Sequence, residues 1–239
     1  MRPARNSIRT GVVALATGAV AAGVLLTAPA GQAAPPAQAA ASATVALSAA
    51  GPQGGDWVYT ASGTRCVLGF NVRDSNNIYY FLVSTRCPTS TGVWYANSAR
   101  TTVLGNTVSS AAGDVALVKY ADQTVSRSGT VDLYNTTSQD ILTAASAYVG
   151  EPVKRSGSVG VHSGTVLALN VTVNYAEGSI TGLIKTNICA EAGDAGAPLF
   201  DGTKAIGLLA TSSGNCTVGG YSYYRPVTQP LSVYAVSVY

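Results

Sequence analysis

Short stretches rich in Val, Ile, Tyr and Thr recur along the chain between turns rich in Gly, Asn and Ser. The stretch 165–175 alternates in polarity for much of its length, as a strand with one buried face does. Short β-type stretches separated by turn residues predict an all-β domain, which on this pattern alone is either a barrel or a sandwich. The predicted strands cover residues 67–72, 78–83, 101–108, 115–120, 165–175, 180–186 and 205–210.

The C-terminus departs from this β pattern. Pro230 can occupy the first position of a helix, where its missing N–H costs nothing. Leu231, Tyr234, Ala235 and Val238 then fall on one helical face. We therefore expect a short closing helix.

The N-terminus has the organisation of a secretory signal peptide. Three arginines at positions 2, 5 and 9 precede an apolar run over 12–26, which small residues follow. This run is shorter than the roughly 20 residues that a membrane-spanning helix needs. We expect a signal peptide over 1–33, an Ala- and Pro-rich leader over 34–53 that is disordered or processed, and one compact domain over 54–239. The protein is then secreted to the extracellular space and not held in a membrane.

The charge of the exported part excludes one class of partner. Without the three arginines of the signal peptide, eleven Lys and Arg remain against eleven Asp and Glu. A balanced domain of this kind gives no electrostatic basis for binding nucleic acid or an acidic membrane.

Four cysteines in an exported chain predict two disulfides, with three pairings open from the residues alone. Zinc is the competing interpretation. It is disfavoured because no two cysteines have Cys-x-x-Cys spacing and the sole histidine, His162, lies far from them in sequence. We expect no metal and no cofactor.

The segment Gly193-Asp194-Ala195-Gly196-Ala197-Pro198 resembles the nucleophile loop of chymotrypsin-like serine proteases, with alanine in the place of serine. Further segments resemble the streptogrisin and alpha-lytic branch of secreted bacterial proteases, and the resemblance covers 54–239. It implies two perpendicular six-stranded β-barrels with the active site in the cleft between them. The segments are GDWVY at 55–59, LGFNV at 68–72, YYFL at 79–82, WYANSARTTVLG at 94–105 and HSGTV at 162–166.

The resemblance places Arg86 at the position of the catalytic histidine, Asp114 at that of the aspartate and Ala195 at that of the serine. Arginine stays protonated and has no acceptor, so Arg86 cannot take a proton from a hydroxyl. Ala195 has no nucleophilic atom. Asp114 is the retained member, with a solvated turn aspartate as the alternative. Because an unpaired carboxylate in a cleft is costly, we expect Arg86 to pair with Asp114.

Other roles also follow from the resemblance. It pairs Cys66 with Cys87 and Cys189 with Cys216, and it makes Gly193 the oxyanion-hole position. It predicts a buried ion pair between Arg155 and Asp194, against the alternative of a solvated surface arginine.

The wall of the specificity pocket falls on Ala210, Thr211 and Ser212, where the family has Ser-Gly-Gly. The added side chains should narrow the pocket. His162 has a structural role in the family. Ser212 and Ser213 border the cleft, but without a base neither is activated.

Together these features predict a secreted pseudoprotease that binds a protein or peptide partner, such as a protease inhibitor, and is monomeric. Two alternatives stay open. One is an active serine endopeptidase, as overall similarity suggests, and the other is a chain without a selected role. Fold alone does not choose between them.

Overall fold

The computed structural model describes residues 51–88, 91–124, 127–158, 160–176 and 178–239. The predicted signal peptide over 1–33 and most of the leader over 34–53 lie outside these residues. In the described part, no helix is long and apolar enough to cross a membrane.

The first half of the domain forms a six-stranded barrel. Its sheet has the strand order β2-β1-β5-β6-β7-β4-β3. Only residues 68–70 separate β2 from β3, and the amide of Gly69 donates to Leu82 at 2.8 Å, so the two act as one strand that closes the sheet. The strands are β1 Trp57–Thr60, β2 Arg65–Val67, β3 Asn71–Arg73, β4 Tyr79–Ser84, β5 Val93–Tyr95, β6 Val103–Ser109 and β7 Val115–Tyr120.

A short hairpin of β8 Thr130–Asp132 and β9 Ser138–Asp140 leads to a second barrel. There the order is β10-β15-β14-β11-β12-β13-β16, and β16 also pairs with β15, which closes a ring of six strands. The all-β double barrel implied by the resemblance is confirmed. The remaining elements are β10 Thr143–Ala144, β11 Pro152–Gly157, β12 Gly160–Tyr175, β13 Gly178–Thr186, β14 Pro198–Asp201, β15 Lys204–Asn215, β16 Gly219–Pro226 and α1 Thr228–Tyr234.

Three apolar clusters form the core, one inside each barrel and one shared between the barrels and α1. Strand β4 shows how the sequence builds two of them at once. Phe81 and Val83 point into the first barrel, whereas Leu82 points to the shared cluster. Successive side chains of a strand face opposite sides, so a strand buried on both faces is a continuous apolar run.

The C-terminal helix exists, but its predicted position is partly wrong. It begins at Thr228, two residues before Pro230, and ends at Tyr234. Ala235 has φ 53° and terminates the helix in the left-handed conformation. Val238 lies beyond it and is buried in the shared cluster, because the chain after the helix pairs with the first barrel through an Arg73–Ser237 bridge.

The predicted disulfides are confirmed. Cys66 pairs with Cys87 at a Cα separation of 6.2 Å, and Cys189 with Cys216 at 4.9 Å. The first links β2 to the turn that follows β4, and the second links the segment before β14 to the residue that follows β15. Each disulfide thus braces a loop at the edge of one barrel.

Candidate functional site

The end of β4 and the start of β7 lie side by side at one rim of the first barrel. Ser84 pairs with Val115 in the ladder, and the amide of Thr85 donates to the carbonyl of Asp114 at 3.0 Å. This pairing places Arg86 and Asp114 at the same rim. Arg86 is exposed, and the side chain of Asp114 is 9% exposed.

The segment 191–197 forms two consecutive turns that meet this rim. The amide of Asp194 donates to Glu191 at 3.1 Å, and the amide of Ala197 donates to Asp194 at 2.8 Å. The carbonyl of Ala195 accepts from the amide of Val67 at 3.2 Å, which joins the loop to the first barrel. The fold therefore brings Ala195 to the barrel that carries Arg86 and Asp114.

Two glycines make this loop geometry possible. Gly193 has φ 97° and Gly196 has φ 91°, a region that side-chain-bearing residues rarely adopt. A Cβ on Gly196 would also lie 2.6 Å from the carbonyl oxygen of Val67 and 3.1 Å from the amide of Ser84. The loop can approach the first barrel this closely only with glycine at 196.

A buried ion pair anchors the loop from below. Arg155 Nη1 in β11 lies 2.7 Å from Asp194 Oδ2, and both side chains are fully buried. The amides of Ser158 and Glu191 also donate to this carboxylate, at 2.7 and 2.8 Å. Three donors thus hold Asp194 and, through it, the adjoining Gly193 and Ala195.

The partner of Asp114 differs from the one expected. Arg225 Nε donates to Oδ1 at 2.6 Å and Arg225 Nη2 to Oδ2 at 3.2 Å, so a two-pronged pair occupies both carboxylate oxygens. The predicted pairing with Arg86 is therefore wrong. Strand β16 brings Arg225 to Asp114 across 111 residues of sequence, and the neighbours of Arg225 in the sequence carry no signal of that contact.

Arg86 instead lies over the ring of Tyr175, with its guanidinium carbon 4.8 Å from the ring centroid. The hydroxyl of Tyr175 donates to Thr211 Oγ1. These contacts connect the rim of the first barrel to the predicted pocket wall in the second. The wall itself is part of β15, where Ala210 is buried and Thr211 and Ser212 pair with Tyr223 and Ser222 of β16.

A second cation lies beside Gly193, the predicted oxyanion-hole position. A Cβ built on Gly193 would be 3.3 Å from both Nε and Nη2 of Arg65. The Arg65 guanidinium carbon is 3.9 Å from the centroid of the Trp57 ring, a cation–π contact that fixes the side chain. Sequence reasoning missed Arg65, Trp57, Tyr175 and Arg225 as site residues. Each lies on a different strand, and only the fold brings them to these contacts.

His162 lies outside this constellation. It pairs across the ladder with Arg155, and burial, reinforced by the Arg155 charge, lowers the pKa of its imidazole. Its Nδ1 is 3.6 Å from Cys189 Sγ, and Cys216 lies in the same cluster. Since the two sulfurs are bonded to each other, neither is a thiolate that could bind a metal here.

The chemistry available at the site follows from these groups. Arg86 has no lone pair with which to accept a proton, Ala195 has no hydroxyl, and the one histidine of the chain contacts a disulfide. The site offers hydrogen-bond donors and positive charge to a ligand.

Comparison with known proteins gives consistent matches. The profile of the family described as Trypsin matches residues 32–233. Serine protease 2 of Streptomyces fradiae is 46% identical over 171 residues, which cover 70% of this chain and 98% of that protein. Streptogrisin-A of Streptomyces griseus is 41% identical over 181 residues, which cover 75% of this chain and 58% of that protein.

Solved structures agree with these sequence matches. A glutamic acid specific serine protease superposes with a TM-score of 0.73 at 40% identity, covering 79% of this chain and 100% of its own. Alpha-lytic protease homolog N4 superposes with a TM-score of 0.71 at 35% identity, covering 78% of this chain and 98% of its own.

Proposed function

Because this chain belongs to the trypsin family of chymotrypsin-like serine proteases, and resembles its streptogrisin branch, we propose that it is a secreted member that does not cleave peptide bonds and acts by binding. The observation that carries the proposal is the pair of residues at the catalytic positions of the resemblance, Arg86 and Ala195. Peptide hydrolysis in this family requires a nucleophile and a base. A methyl group and a guanidinium cannot supply either.

The size of the expected fall in turnover supports loss of activity. Removing triad members from a serine protease lowers turnover by about a million-fold, and what remains comes from the oxyanion hole and substrate binding. The environment of Asp114 points the same way, since both of its oxygens are bonded to Arg225. A histidine introduced at position 86 would have to compete with that guanidinium for the carboxylate.

The framework for binding is retained. Both disulfides, the buried Arg155–Asp194 pair and the two-turn loop hold the rim of the cleft in place. We propose that this rim binds an extracellular protein or peptide, such as a protease inhibitor, and that the protein acts as a monomer. The predicted signal peptide over 1–33 and the disulfides support secretion.

An active serine endopeptidase is the second candidate, and the 46% identity to Serine protease 2 favours it. A fluorophosphonate probe separates the two. We expect no covalent labelling of the secreted wild-type protein and no cleavage of a peptide library, with Streptogrisin-A as the positive control. Labelling that disappears when one cleft side chain is changed would establish the enzyme instead.

Variants that reintroduce the catalytic histidine and serine at positions 86 and 195 test the physical reason for inactivity. The Arg86→His/Ala195→Ser variant should show labelling that is weak, because Arg225 holds Asp114. Adding Arg225→Gln should raise labelling further, by about tenfold or more, since the aspartate is then free to orient the new histidine. If wild type and all variants label equally, the assigned positions are wrong.

A further inference from the structure

Two backbone N–H groups of the 191–197 loop are available to a ligand. Within the described ranges, no backbone or side-chain acceptor receives a hydrogen bond from the amide of Gly193 or of Ala195. Both residues are only partly buried. Backbone N–H groups in successive turns form a concave surface that favours negatively charged oxygen.

Arg65 adds a full positive charge to the same place. Its Nε and Nη2 atoms are each 3.3 Å from the position that a Cβ on Gly193 would occupy. These two atoms form an edge of the guanidinium that can bond a carboxylate with two parallel hydrogen bonds. The Trp57 ring supports its guanidinium, and the Cys66–Cys87 disulfide holds the adjoining backbone. Arg65 takes no part in the ion pairs Arg155–Asp194, Lys204–Asp201 and Arg225–Asp114 of the described residues.

The acidic groups near the loop are engaged elsewhere. Asp194 is bonded to Arg155 and to two amides, and Asp114 is bonded to Arg225. Glu191 Oε1 accepts from the amide of Cys216 at 2.8 Å. The carboxylates of Glu191, Asp194 and Asp114 near these donors therefore already have partners.

We propose that Gly193, Ala195 and Arg65 form a carboxylate-binding site for a peptide that the protein holds without cutting it. One carboxylate oxygen accepts from the two amides, and the guanidinium edge of Arg65 neutralises the charge. This inference rests on the proposed binding function and names its ligand chemistry.

A carboxylate reaches this site either as the C-terminus of a peptide or as an acidic side chain. The experiment uses three forms of one short peptide with the secreted protein: a free C-terminal acid, the C-terminal amide, and the amide with an internal glutamate. Calorimetry should show the acid binding about tenfold or more tightly than the plain amide, the size of one charge-assisted interaction. Tight binding of the glutamate peptide alone would identify the side chain as the source.

The Arg65→Gln variant should lose about tenfold in affinity for the carboxylate peptide and almost none for the plain amide. Lys119→Gln, which removes an exposed charge from β7, is the matched control and should change neither. NMR of the wild-type protein gives an independent measurement. The backbone N–H signals of Gly193 and Ala195 should shift when the peptide with a free C-terminal acid is added, and should not shift with the C-terminal amide peptide.

Equal affinity for all three peptides, or an unchanged preference in Arg65→Gln, would overturn the carboxylate site. Unmoved Gly193 and Ala195 signals in the presence of bound peptide would do the same. Mass spectrometry of the same samples reports cleavage, so failure of the proposed function is detected separately from failure of this inference.

Discussion

The Arg155–Asp194 pair should be the most sensitive electrostatic contact among those described in the domain. Both side chains have no exposed surface, and the pair connects β11 to the loop that carries Gly193 and Ala195. Replacing Arg155 with Met keeps an apolar body in the barrel but leaves the Asp194 carboxylate without a counter-charge. Only the amides of Ser158 and Glu191 would still donate to it.

Breaking a buried pair on one side costs about 3–5 kcal/mol, because a buried charge is left uncompensated. Because two amide donors still bond to Asp194, the loss of unfolding free energy in Arg155→Met should lie near the lower end of this range, at about 3 kcal/mol. For a domain of this size, that lowers Tm by about 6–12 °C. The Arg155→Met/Asp194→Asn variant should recover part of the loss, since asparagine carries no charge and still offers an acceptor to the amides.

Urea unfolding followed by the fluorescence of buried Trp94 measures these free energies. Lys204→Met is the control, because the Lys204–Asp201 pair is 3.1 Å long but exposed, and its loss should cost less than about 0.5 kcal/mol. If Arg155→Met costs less than about 1 kcal/mol, or no more than the control, burial does not set the strength of this pair and the reasoning is refuted.

Three further predictions use the same unfolding assay. Arg225→Gln leaves the nearly buried carboxylate of Asp114 unpaired and should lower the unfolding free energy by about 1–3 kcal/mol. Arg86→His should lower it clearly less, and equal losses in the two variants would contradict the pairing of Asp114 with Arg225. Gly196→Ala should lower the unfolding free energy by about 2 kcal/mol more than Gly113→Ala does. Both glycines have positive φ, but only at Gly196 does a carbonyl oxygen lie 2.6 Å from the added Cβ. Similar losses would show that the loop can move away from the first barrel. Burial raises the pKa of Asp56 from its ordinary value of 3.8 to about 6, so its contribution to stability is greatest below pH 4 and is lost as the pH rises through 6. The unfolding free energy at pH 7 minus that at pH 4 should therefore be higher in Asp56→Asn than in the wild type, by up to about 3 kcal/mol, and an equal difference in the two proteins would contradict this.

The sequence predicted the longer strands whose apolar residues are continuous or alternating. It missed short strands such as β14, and it also missed two longer strands that bury polar side chains. Strand β11 is an example, because it buries Arg155 and Ser156, and β16 is another, since it opens with two glycines and buries Ser222. Hydrophobic pattern is a local property, so it detects strands that bury apolar side chains. A buried polar side chain is stable only because a distant partner accepts its charge or hydrogen bond.

The amino-acid sequence by itself determined the β class, the presence of a closing helix and, through the resemblance, the disulfide pairs. The resemblance also predicted that Arg86, Asp114 and Ala195 occupy the triad positions. Only the tertiary structure decided which cation binds Asp114, that Arg86 lies on Tyr175, and that Arg65 lies beside Gly193. The physical reason is distance along the chain. Arg225 and Asp114 are 111 residues apart, and the choice among several arginines depends on strand register and barrel closure, which no local pattern encodes.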